Sequence, residues 1–337
     1  MLRLLTAGES HGKALVAILE GLPAGLAVTQ AVINKELERR RRGHGRGPRM
    51  EIEPDHVQII SGIRHGKTLG SPVTLMIDNR DHRNWQEVMD PELPGTGKEV
   101  RRPRPGHADL AGGMKYNHQD FRNVLERSSA RETAARVAAG AICRKFLELF
   151  DIKIYSQVVA IGEVTSPTWG QMLNPELHQM AEASTVRCPD EMASNQMATA
   201  IDRARAEGES LGGSFEVTAD NVPPGLGSYV QSDRRLDSRL AGALISIPAI
   251  KAVEIGEGIK ASQRPGSSVH DQIYYSADAG LYRRQNNAGG IEGGISNGEP
   301  VVVRAYMKPI PTLYRPLTSV SIDSWQDINA IMNGRVI

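Results

Sequence analysis

Stretches of alternating apolar residues are spread along most of this 337-residue chain, and helical patterns separate only some of them. Such alternation is typical of β-strands that bury one face. A doubly wound parallel sheet would need a regular succession of strands and helices, which is missing here. The sequence therefore predicts an α+β fold, with strands near 2–5, 57–61, 73–77, 152–161, 214–218, 251–255 and 301–307 and helices near 29–42, 132–150, 196–206 and 234–245.

Two short patterns occur twice along the chain, in the same order. Leu22-Pro23-Ala24-Gly25-Leu26 resembles Val222-Pro223-Pro224-Gly225-Leu226, and each precedes a predicted helix. Gly70-Ser71-Pro72 resembles Gly298-Glu299-Pro300, and each precedes a predicted strand. Chance recurrence of strand-turn-helix units is the alternative explanation. A duplication would predict two related β-α halves, with a site between them that draws on distant parts of the sequence.

The composition excludes several classes of protein. Lysines and arginines number 40 against 39 acidic residues, so the net charge of 40 − 39 = +1 does not indicate a nucleic-acid partner. The two cysteines, Cys143 and Cys188, lack the spacing of a zinc site or a disulfide scaffold, so we expect no metal and a reducing, cytoplasmic location. An apolar stretch of about 18 residues is absent, which predicts a soluble protein without a membrane span.

The segment Gly8-Glu9-Ser10-His11-Gly12 places a serine, a histidine and a carboxylate on a turn flanked by glycines. Histidine exchanges a proton near neutral pH, and glycine lets the backbone approach a ligand closely. A histidine on a turn is also common at the surface of proteins. The interpretation of this segment as a catalytic site therefore depends on the other motifs of the chain.

Six arginines lie between residues 39 and 49, at the end of a predicted helix and on a glycine-rich loop. The planar guanidinium group suits phosphate and carboxylate oxygens, and glycines allow a loop to wrap a small anion. A solvated charged face would alternate the signs of its charges. An RNA-binding module is a second alternative, but it would need aromatic residues for stacking, and none interleaves with the run. The run predicts a site for a small polyanion.

Two further segments combine arginines with groups that suit proton transfer or anion binding. Residues 101–109 contain a proline-glycine turn followed by His107 and Asp109. Residues 127–133 bracket two serines with arginines at the start of a predicted helix, where free backbone N–H groups bind phosphate. A serine N-cap would explain one of the serines but not the arginines. Both segments are candidate parts of the same anion site.

Late in the chain, residues 288–298 contain more glycine than one turn needs, and Lys308-Pro309-Ile310-Pro311-Thr312 follows a predicted strand. These features predict that the backbone passes close to a flat or phosphorylated ligand. Glycine and proline also occur in ordinary turns. The glycine patterns of the common dinucleotide and ATP folds do not follow a strand here, which argues against those folds.

Taken together, residues 8–12, 104–109, 127–133 and 293–298 resemble the signature segments of the chorismate synthase family, in that family's order. The resemblance extends from the first residues to about Thr318. It implies a β-α-β sandwich with an internal pseudo-repeat, a single domain over residues 1–337 and a homotetramer. Members of the family convert 5-enolpyruvylshikimate 3-phosphate into chorismate and phosphate, the last step of the shikimate pathway, using reduced FMN without net redox change.

The resemblance also implies roles for individual residues. His11 would protonate the reduced flavin, and His107 would protonate the departing phosphate. The residues that would bind the substrate are Ser10, Arg40, Arg46, Arg49, Arg104, Ser129 and Arg131. The residues that would contact the flavin are Ser128, Ser129, Ala130, Pro248, Ala249, Gly293, Lys308, Pro309, Ile310, Pro311, Thr312 and Arg335.

The resemblance is incomplete at the C-terminus. Members of the family continue into an Arg-x-Asp segment and a final helix, whereas Arg335 is followed here by Val336 and Ile337, with Ile337 at the position of the aspartate. We therefore expect a C-terminal segment to be missing from this chain. NADPH would be needed only if the protein reduces its own flavin, and a flavin reductase or oxidoreductase is the alternative enzyme class.

Overall fold

A computed structural model describes residues 2–47, 49–93, 99–166 and 175–330. The described residues form two compact units. The first takes its residues from Met1–Phe146, Ala206–Ser210 and Pro311–Ile337, and the second from Leu147–Arg205 and Leu211–Ile310. Within the described ranges, no helix combines the length and the apolar character needed to span a membrane.

Strands and helices alternate irregularly, as the sequence predicts. The strands are β1 (Arg3–Ala7), β2 (Ala14–Glu20), β3 (Val57–Ser61), β4 (Ile63–Arg64), β5 (Lys67–Thr68), β6 (Val73–Asp78), β7 (Lys153–Ile161), β8 (Val164–Thr165), β9 (Gly213–Asp220), β10 (Ile250–Ile255), β11 (Ile273–Ser276), β12 (Gly280–Arg283), β13 (Ile291–Glu292), β14 (Ile295–Ser296), β15 (Val301–Met307), β16 (Thr318–Val320) and β17 (Asp327–Asn329). The helices are α1 (Gln30–Arg41), α2 (Arg49–Ile52), α3 (Asp109–Tyr116), α4 (Arg122–Ser128), α5 (Thr133–Glu148), α6 (Pro175–Ala183), α7 (Glu191–Ala206), α8 (Leu236–Ile245), α9 (Gly258–Ala261) and α10 (Gly266–Val269). Short 3₁₀ turns cover Arg80–Asn84, Ala130–Glu132 and Ser232–Arg234.

The first unit contains an antiparallel sheet with the strand order β1-β2-β6-β3. Alternate residues of β2 and β6 point into its core, because successive side chains of a strand face opposite sides of the sheet. Helices α1 and α5 cover this face with Ile33, Leu37, Ala138 and Ile142, all of which are fully buried. Thr29 caps α1 by accepting the N–H of Val32.

The second unit contains an antiparallel sheet with the strand order β10-β15-β9-β7-β8. Helix α8 packs one face through Leu236, Leu240 and Leu244. A second cluster around Met197 joins α7 to β7. The two sheets have mixed helices around them, and the predicted α+β class is confirmed.

The two sheets share one topology, which supports the duplication suggested by the sequence. In chain order, the strands of the first sheet are β1, β2, β3 and β6, and the four matching strands of the second sheet are β7, β9, β10 and β15. Across each sheet these strands lie in the order first, second, fourth, third. The turns after β2 and β9 are held by the same four hydrogen bonds. Thr68 bonds the backbone N–H and C=O of Leu26, the N–H of Gly25 and the C=O of Pro23. Ser296 bonds the corresponding groups of Leu226, Gly225 and Pro223.

All seven predicted strands are present; β3 and β15 have the predicted ends, and the ends of the others differ by no more than two residues. The helix predicted from residue 132 begins at Thr133, because a 3₁₀ turn over Ala130–Glu132 precedes it. Two other helix starts differ from the prediction, since α7 begins at Glu191 and α8 begins at Leu236. Strand β2 and helices α3, α4 and α6 were not predicted.

Candidate active site

The loop between β1 and β2 carries Ser10 and His11, which are almost fully buried. Gly8 has a φ of +100°, and a Cβ there would lie 2.2 Å from the carbonyl oxygen of Ala14. Only glycine fits at this position, because other side chains would clash and would be strained at this φ. Asn79 fixes the far side of the loop by donating to the carbonyl oxygen of Gly12 at 2.8 Å.

The imidazole of His11 lies between a carboxylate and a guanidinium group. Its Nδ1 is 2.9 Å from Oε1 of Glu126, and Glu126 also accepts the backbone N–H of His11 at 2.8 Å. Its Nε2 is 3.2 Å from Nη1 of Arg49 and 3.9 Å from Oδ2 of Asp81. The ring of Trp85 packs against it with a centroid separation of 4.3 Å. Contacts on three sides therefore fix the orientation of this imidazole.

Glu126 is ionised at neutral pH despite its burial. Burial raises the pKa of this carboxyl. The hydrogen bonds and charge of His11, together with the charge of Arg122, lower the pKa by more than burial raises it, so the net pKa lies below the ordinary value. A buried carboxylate that accepts from Nδ1 directs Nε2 of the imidazole toward the site.

His107 also contacts a buried carboxylate through Nδ1. Its Nδ1 lies 2.5 Å from Oδ1 of Asp109, and Nη2 of Arg104 lies 2.9 Å from Nδ1 and 3.0 Å from Nε2. Asp109 is fully buried and also accepts from Nε of Arg104 at 2.8 Å. Burial raises the pKa of Asp109, but the hydrogen bonds from His107 and Arg104 outweigh it and bring the pKa to about 2. Arg104 further donates to Oγ1 of Thr312 at 3.3 Å.

One pair of helices carries both carboxylates. Asp109 is the first residue of α3, and Glu126 lies in α4. The two helices approach closely because two glycines face α4. A Cβ on Gly112 would lie 2.5 Å from Cγ1 of Val124, and a Cβ on Gly113 would lie 2.5 Å from Cε1 of Phe121. The orientations of His11 and His107 are thus linked through α3 and α4.

Arginines from distant segments meet around two buried carboxylates, Glu53 and Asp55. Asp55 bonds Nη1 of Arg131 and accepts from Nη1 of Arg40 at 3.2 Å. Oxygens of Glu53 lie 3.7 Å from Nη2 of Arg49 and 3.7 Å from Nη2 of Arg131. The predicted convergence of the 39–49 run with the 127–133 segment is therefore observed.

Positive charge exceeds negative charge in this cluster, which consists of Arg40, Arg46, Arg49, Arg131, Glu53 and Asp55. Burial lowers the pKa of Arg40 to about 10, and repulsion from Arg131, Arg46 and Arg49 adds to the shift while Asp55 opposes it. Burial also lowers the pKa of Arg49, Arg131 adds to this shift, and the carboxylates of Glu53, Asp81 and Glu126 oppose it. Desolvation lowers the pKa of Arg46. The cluster has the electrostatic character of an anion site.

Two guanidinium nitrogens of the cluster are buried without a hydrogen-bond partner among the described residues: Nε of Arg49 and Nη2 of Arg131. The other nitrogens of these groups are engaged. Arg49 donates to Oγ of Ser10 at 2.6 Å and to the carbonyl oxygen of Ser10, and Nε of Arg131 donates to Oδ1 of Asn79 at 3.0 Å. A buried donor without an acceptor costs about 1–3 kcal/mol. The two atoms therefore retain donor capacity that the described residues do not use.

The serines and alanine of the 127–133 segment lie on the turn between α4 and α5. Ser128 ends α4 and donates its hydroxyl to the carbonyl oxygen of Val124 at 2.7 Å. Ser129 caps the following 3₁₀ turn by accepting the N–H of Arg131, and the carbonyl oxygen of Ala130 accepts from Nη2 of Arg40 at 3.3 Å. This segment therefore borders the arginine cluster.

The predicted flavin residues divide between the two units. In the second unit, Ala249 adopts a φ of +72°, which is strained for a residue with a side chain, and its carbonyl oxygen accepts the N–H of Lys308 at 3.0 Å. This bond joins the Pro248-Ala249 segment to the 308–310 segment. Gly293 has a φ of +60°, and apart from its own atoms and its chain neighbours no described atom lies within 4 Å of where its Cβ would be, so the backbone is open on that side. Pro311 and Thr312 belong to the first unit. Arg335 lies outside the described residues.

Several residues of the site had no role in the sequence-based prediction. Glu53, Asp55, Asn79 and Glu126 are all buried and hold the predicted histidines and arginines in place. Isolated acidic and amide residues are common in any sequence, so their type and spacing gave no signal. Asp109 lies within a predicted segment, but its contact with His107 could not be inferred. Groups of three or more residues able to hold a metal ion are absent from the described ranges.

Comparisons with known proteins agree with this geometry. The family model described as chorismate synthase matches residues 2–336. A chorismate synthase of Syntrophomonas wolfei is 56% identical over 339 residues, covering 98% of this chain and 84% of the relative. One from Aquifex aeolicus is 56% identical over 340 residues, covering 98% of this chain and 85% of the relative. A crystal structure of chorismate synthase aligns with a TM-score of 0.79 at 51% identity, covering 92% of this chain and 84% of that one.

The family model matches nearly the whole chain. The sequence identity to each of these relatives is far higher than a shared family requires. The lyase chemistry and the link to aromatic amino acid biosynthesis come with that membership. The chain belongs to the chorismate synthase family.

Proposed function

We propose that the residues around His11 and His107 carry out the chorismate synthase reaction with reduced FMN as cofactor. In this reaction 5-enolpyruvylshikimate 3-phosphate loses phosphate from one ring carbon and a proton from another in a 1,4-elimination. The C=C bond that lies between these two carbons shifts, and the product ring has two conjugated C=C bonds in place of one. The chain therefore needs groups that bind a multiply negative substrate and groups that transfer protons.

The observation that carries the proposal is the pair of buried, unpartnered nitrogens, Nε of Arg49 and Nη2 of Arg131. Oxygens of the substrate's phosphate and carboxylates would satisfy both donors. The substrate would also offset the excess positive charge that Arg40, Arg46, Arg49 and Arg131 hold against two carboxylates, and Arg104 would bind it beside His107. Charge-assisted bonds of this kind are stronger than neutral ones.

The two histidines are proposed as the acids of the reaction. Each imidazole contacts a buried carboxylate through Nδ1, which leaves Nε2 as the ring nitrogen that would face the ligands. Nε2 of His107 would give a proton to the departing phosphate. Nε2 of His11 would give a proton to the reduced flavin, with Ser10 beside it. General acid catalysis of this type contributes about 10²–10⁴-fold to a rate.

The segments proposed to hold the flavin are chemically suited to it. Lys308 supplies a positive charge, the open backbone at Gly293 accepts a flat ring, and Pro309 and Pro311 stiffen the adjoining turn. Ser128, Ser129, Ala130, Pro248, Ala249, Ile310, Thr312 and Arg335 complete the proposed set. Bound reduced FMN would supply transient electron density that helps the phosphate to leave, and would accept the ring proton.

Three further properties are proposed from family membership. The protein would act as a homotetramer and would be located in the cytoplasm. It would need NADPH only if flavin reduction is intrinsic. A metal, a membrane and a nucleic acid have no part in the proposed reaction.

Anaerobic release of phosphate tests the proposal. The protein is supplied with 5-enolpyruvylshikimate 3-phosphate and photoreduced FMN in catalytic amount, and many equivalents of phosphate should form per flavin. His11→Ala and His107→Ala should lose most of this activity, whereas the exposed His270→Ala serves as the matched control and should retain it. Absence of phosphate release from the wild-type protein would overturn the proposal.

The same assay separates the alternatives. A flavin reductase or oxidoreductase would consume NAD(P)H in proportion to product, whereas the lyase needs no net reductant. An RNA-binding module would bind polynucleotide in a salt-sensitive manner that survives both histidine substitutions.

A further inference from the structure

The side chain of Asn79 contacts two parts of the site at once. Asn79 directly follows β6 and is only 4% exposed. Its Nδ2 donates to the carbonyl oxygens of Glu9 at 3.0 Å and Gly12 at 2.8 Å. Its Oδ1 accepts from Nε of Arg131 at 3.0 Å. One amide therefore joins the loop that carries His11 to a guanidinium of the arginine cluster.

The chemistry of these contacts calls for an amide. The two carbonyl oxygens need a donor and the guanidinium needs an acceptor, and asparagine offers both in one rigid group. An ionised aspartate could accept but not donate, and alanine could do neither. The backbone N–H of Asn79 also donates to the carbonyl oxygen of Lys13 at 3.0 Å. Asn79 thus donates to three carbonyl groups of the loop that carries His11, those of Glu9, Gly12 and Lys13.

The contact with Asn79 also decides which edge of Arg131 faces a ligand. Asp55 binds Nη1, and Asn79 binds Nε. These two acceptors fix the plane of the guanidinium. Nη2 is the remaining nitrogen, and it is buried and 3.7 Å from Oε2 of Glu53, too far for a good hydrogen bond.

We infer that Asn79 is a positioning residue for the elimination, which fixes the loop of His11 relative to Nη2 of Arg131. The inference rests on the proposed function. Asn79 acts through these two groups, so both the rate of the chemical step and the binding of substrate depend on it. A misplacement of about 1 Å at an active site can lower a rate by 10²-fold.

Two substitutions test this inference by steady-state kinetics in the anaerobic phosphate assay, at saturating reduced FMN. Asn79→Ala removes the donor and the acceptor, and kcat should fall about 10- to 100-fold while KM for the substrate rises. Asn79→Asp keeps the acceptor for Arg131 but loses the donor to the loop, and kcat should fall by a similar factor. The melting temperature of each variant is measured alongside.

Asn286→Asp provides a matched control. Asn286 is also 4% exposed, donates from Nδ2 to the carbonyl oxygen of Pro300 at 2.8 Å and accepts the N–H of Gly290 at 2.6 Å. The substitution makes the same chemical change at a buried backbone bridge of the second unit. Its melting temperature should fall as much as that of Asn79→Asp, with kcat and KM within about twofold of wild type.

The outcomes separate the two proposals. An inactive wild-type protein would overturn the proposed function and this inference with it. Active wild-type protein, together with Asn79 variants that keep kcat and KM within twofold of wild type, would overturn the positioning role alone. If Asn79→Asp does not fold, Asn79→Ser replaces it in a double-mutant cycle with Arg131→Lys. Additive losses in that cycle would also overturn the role, because coupled neighbours give non-additive effects.

Discussion

Glu126 binds His11 through both its ring and its backbone, with Oε1 at 2.9 Å from Nδ1 and Oε2 at 2.8 Å from the backbone nitrogen. The contact therefore fixes the rotation of the imidazole and the path of its loop together. Asp109 bears the same relation to the ring of His107. Since α3 and α4 carry these two carboxylates and pack against each other, one helix pair orients both proposed acids.

Glu126→Gln should lower kcat by about 10²-fold while leaving the protein folded. The amide can still accept the backbone N–H, but it carries no negative charge to face the imidazole when His11 is charged. Phosphate release under saturating substrate measures the effect. Glu99→Gln, at an exposed carboxylate paired with Arg101, is the control and should retain full activity. More than half of wild-type kcat in Glu126→Gln would mean that this carboxylate has no part in orienting His11.

Asp109 should make the stability of the fold depend on pH. Its pKa in the folded protein is about 2, below the ordinary value of 3.8, because the hydrogen bonds from His107 and Arg104 outweigh burial. The ionised form therefore stabilises the folded state above pH 3.8, and this stabilisation is lost as the pH falls through 2. It amounts to about 2 kcal/mol.

Asp109→Asn should accordingly lower the free energy of unfolding by about 2 kcal/mol at pH 7 and by much less at pH 2. Urea unfolding at pH 7, 4 and 2 measures the difference. Asp323→Asn, at an exposed position, should leave the free energy of unfolding unchanged at each pH. A cost in Asp109→Asn that does not vary with pH would contradict the assigned ionisation.

The close contact of α3 with α4 depends on Gly112. A Cβ there would lie 2.5 Å from Cγ1 and 2.9 Å from Cγ2 of Val124, so Gly112→Ala should separate the helices at a cost of about 1–3 kcal/mol and reduce kcat. Gly140→Ala is the matched control in α5. Apart from the backbone of its own helix and its chain neighbours, no described atom lies within 4 Å of the Cβ position at Gly140. This control should stabilise the protein by about 0.5–1 kcal/mol. Thermal unfolding and kcat distinguish the two, and equal effects would show that the helix contact is unimportant.

Much of the fold could be predicted because its signals are local. The period-two pattern of β6 and β15 marks strands with one buried face, and Thr29 with Gly43 marks the limits of α1. Strand β2 was missed because Leu15 to Leu19 form a continuous apolar run that has no alternation. Helices α3 and α4 are short, and the glycines of α3, which disfavour a helix locally, are required by packing.

The site was predictable only in part, for a similar physical reason. Arginine clusters and glycine-flanked histidines indicate anion chemistry by residue type alone. Glu126 and Asn79 act through contacts with residues 115 and 52 positions away in the sequence, respectively. Such long-range contacts exist only in the folded chain, and the same residue types elsewhere in the sequence have no role in the site.

The internal repeat predicts that Thr68 and Ser296 are equivalent. Each hydroxyl accepts the N–H of a leucine and donates to the carbonyl oxygen of the proline three residues before that leucine. Thr68→Ser and Ser296→Thr should both be nearly neutral, whereas Thr68→Val and Ser296→Ala should each cost about 1–3 kcal/mol, because the backbone groups lose their partner. Thermal unfolding measures all four. A tolerated Thr68→Val would indicate that the hydroxyl is not what holds the first turn.

The unpartnered nitrogens of Arg49 and Arg131 predict that inorganic phosphate stabilises the protein without substrate or flavin. A ligand that binds only the folded state adds RT ln(1 + [L]/Kd), or about 2.7 kcal/mol at 100 times Kd. The melting temperature should therefore rise with phosphate and not with chloride at equal ionic strength. Arg49→Gln should remove most of this rise, because one of the unpartnered donors and a positive charge are lost. Arg64→Gln, at an exposed hairpin arginine, should keep it. If Arg49→Gln responded to phosphate as strongly as the wild-type protein, the anion would have to bind outside the arginine cluster, and the observation on which the proposed substrate site rests would lose its meaning.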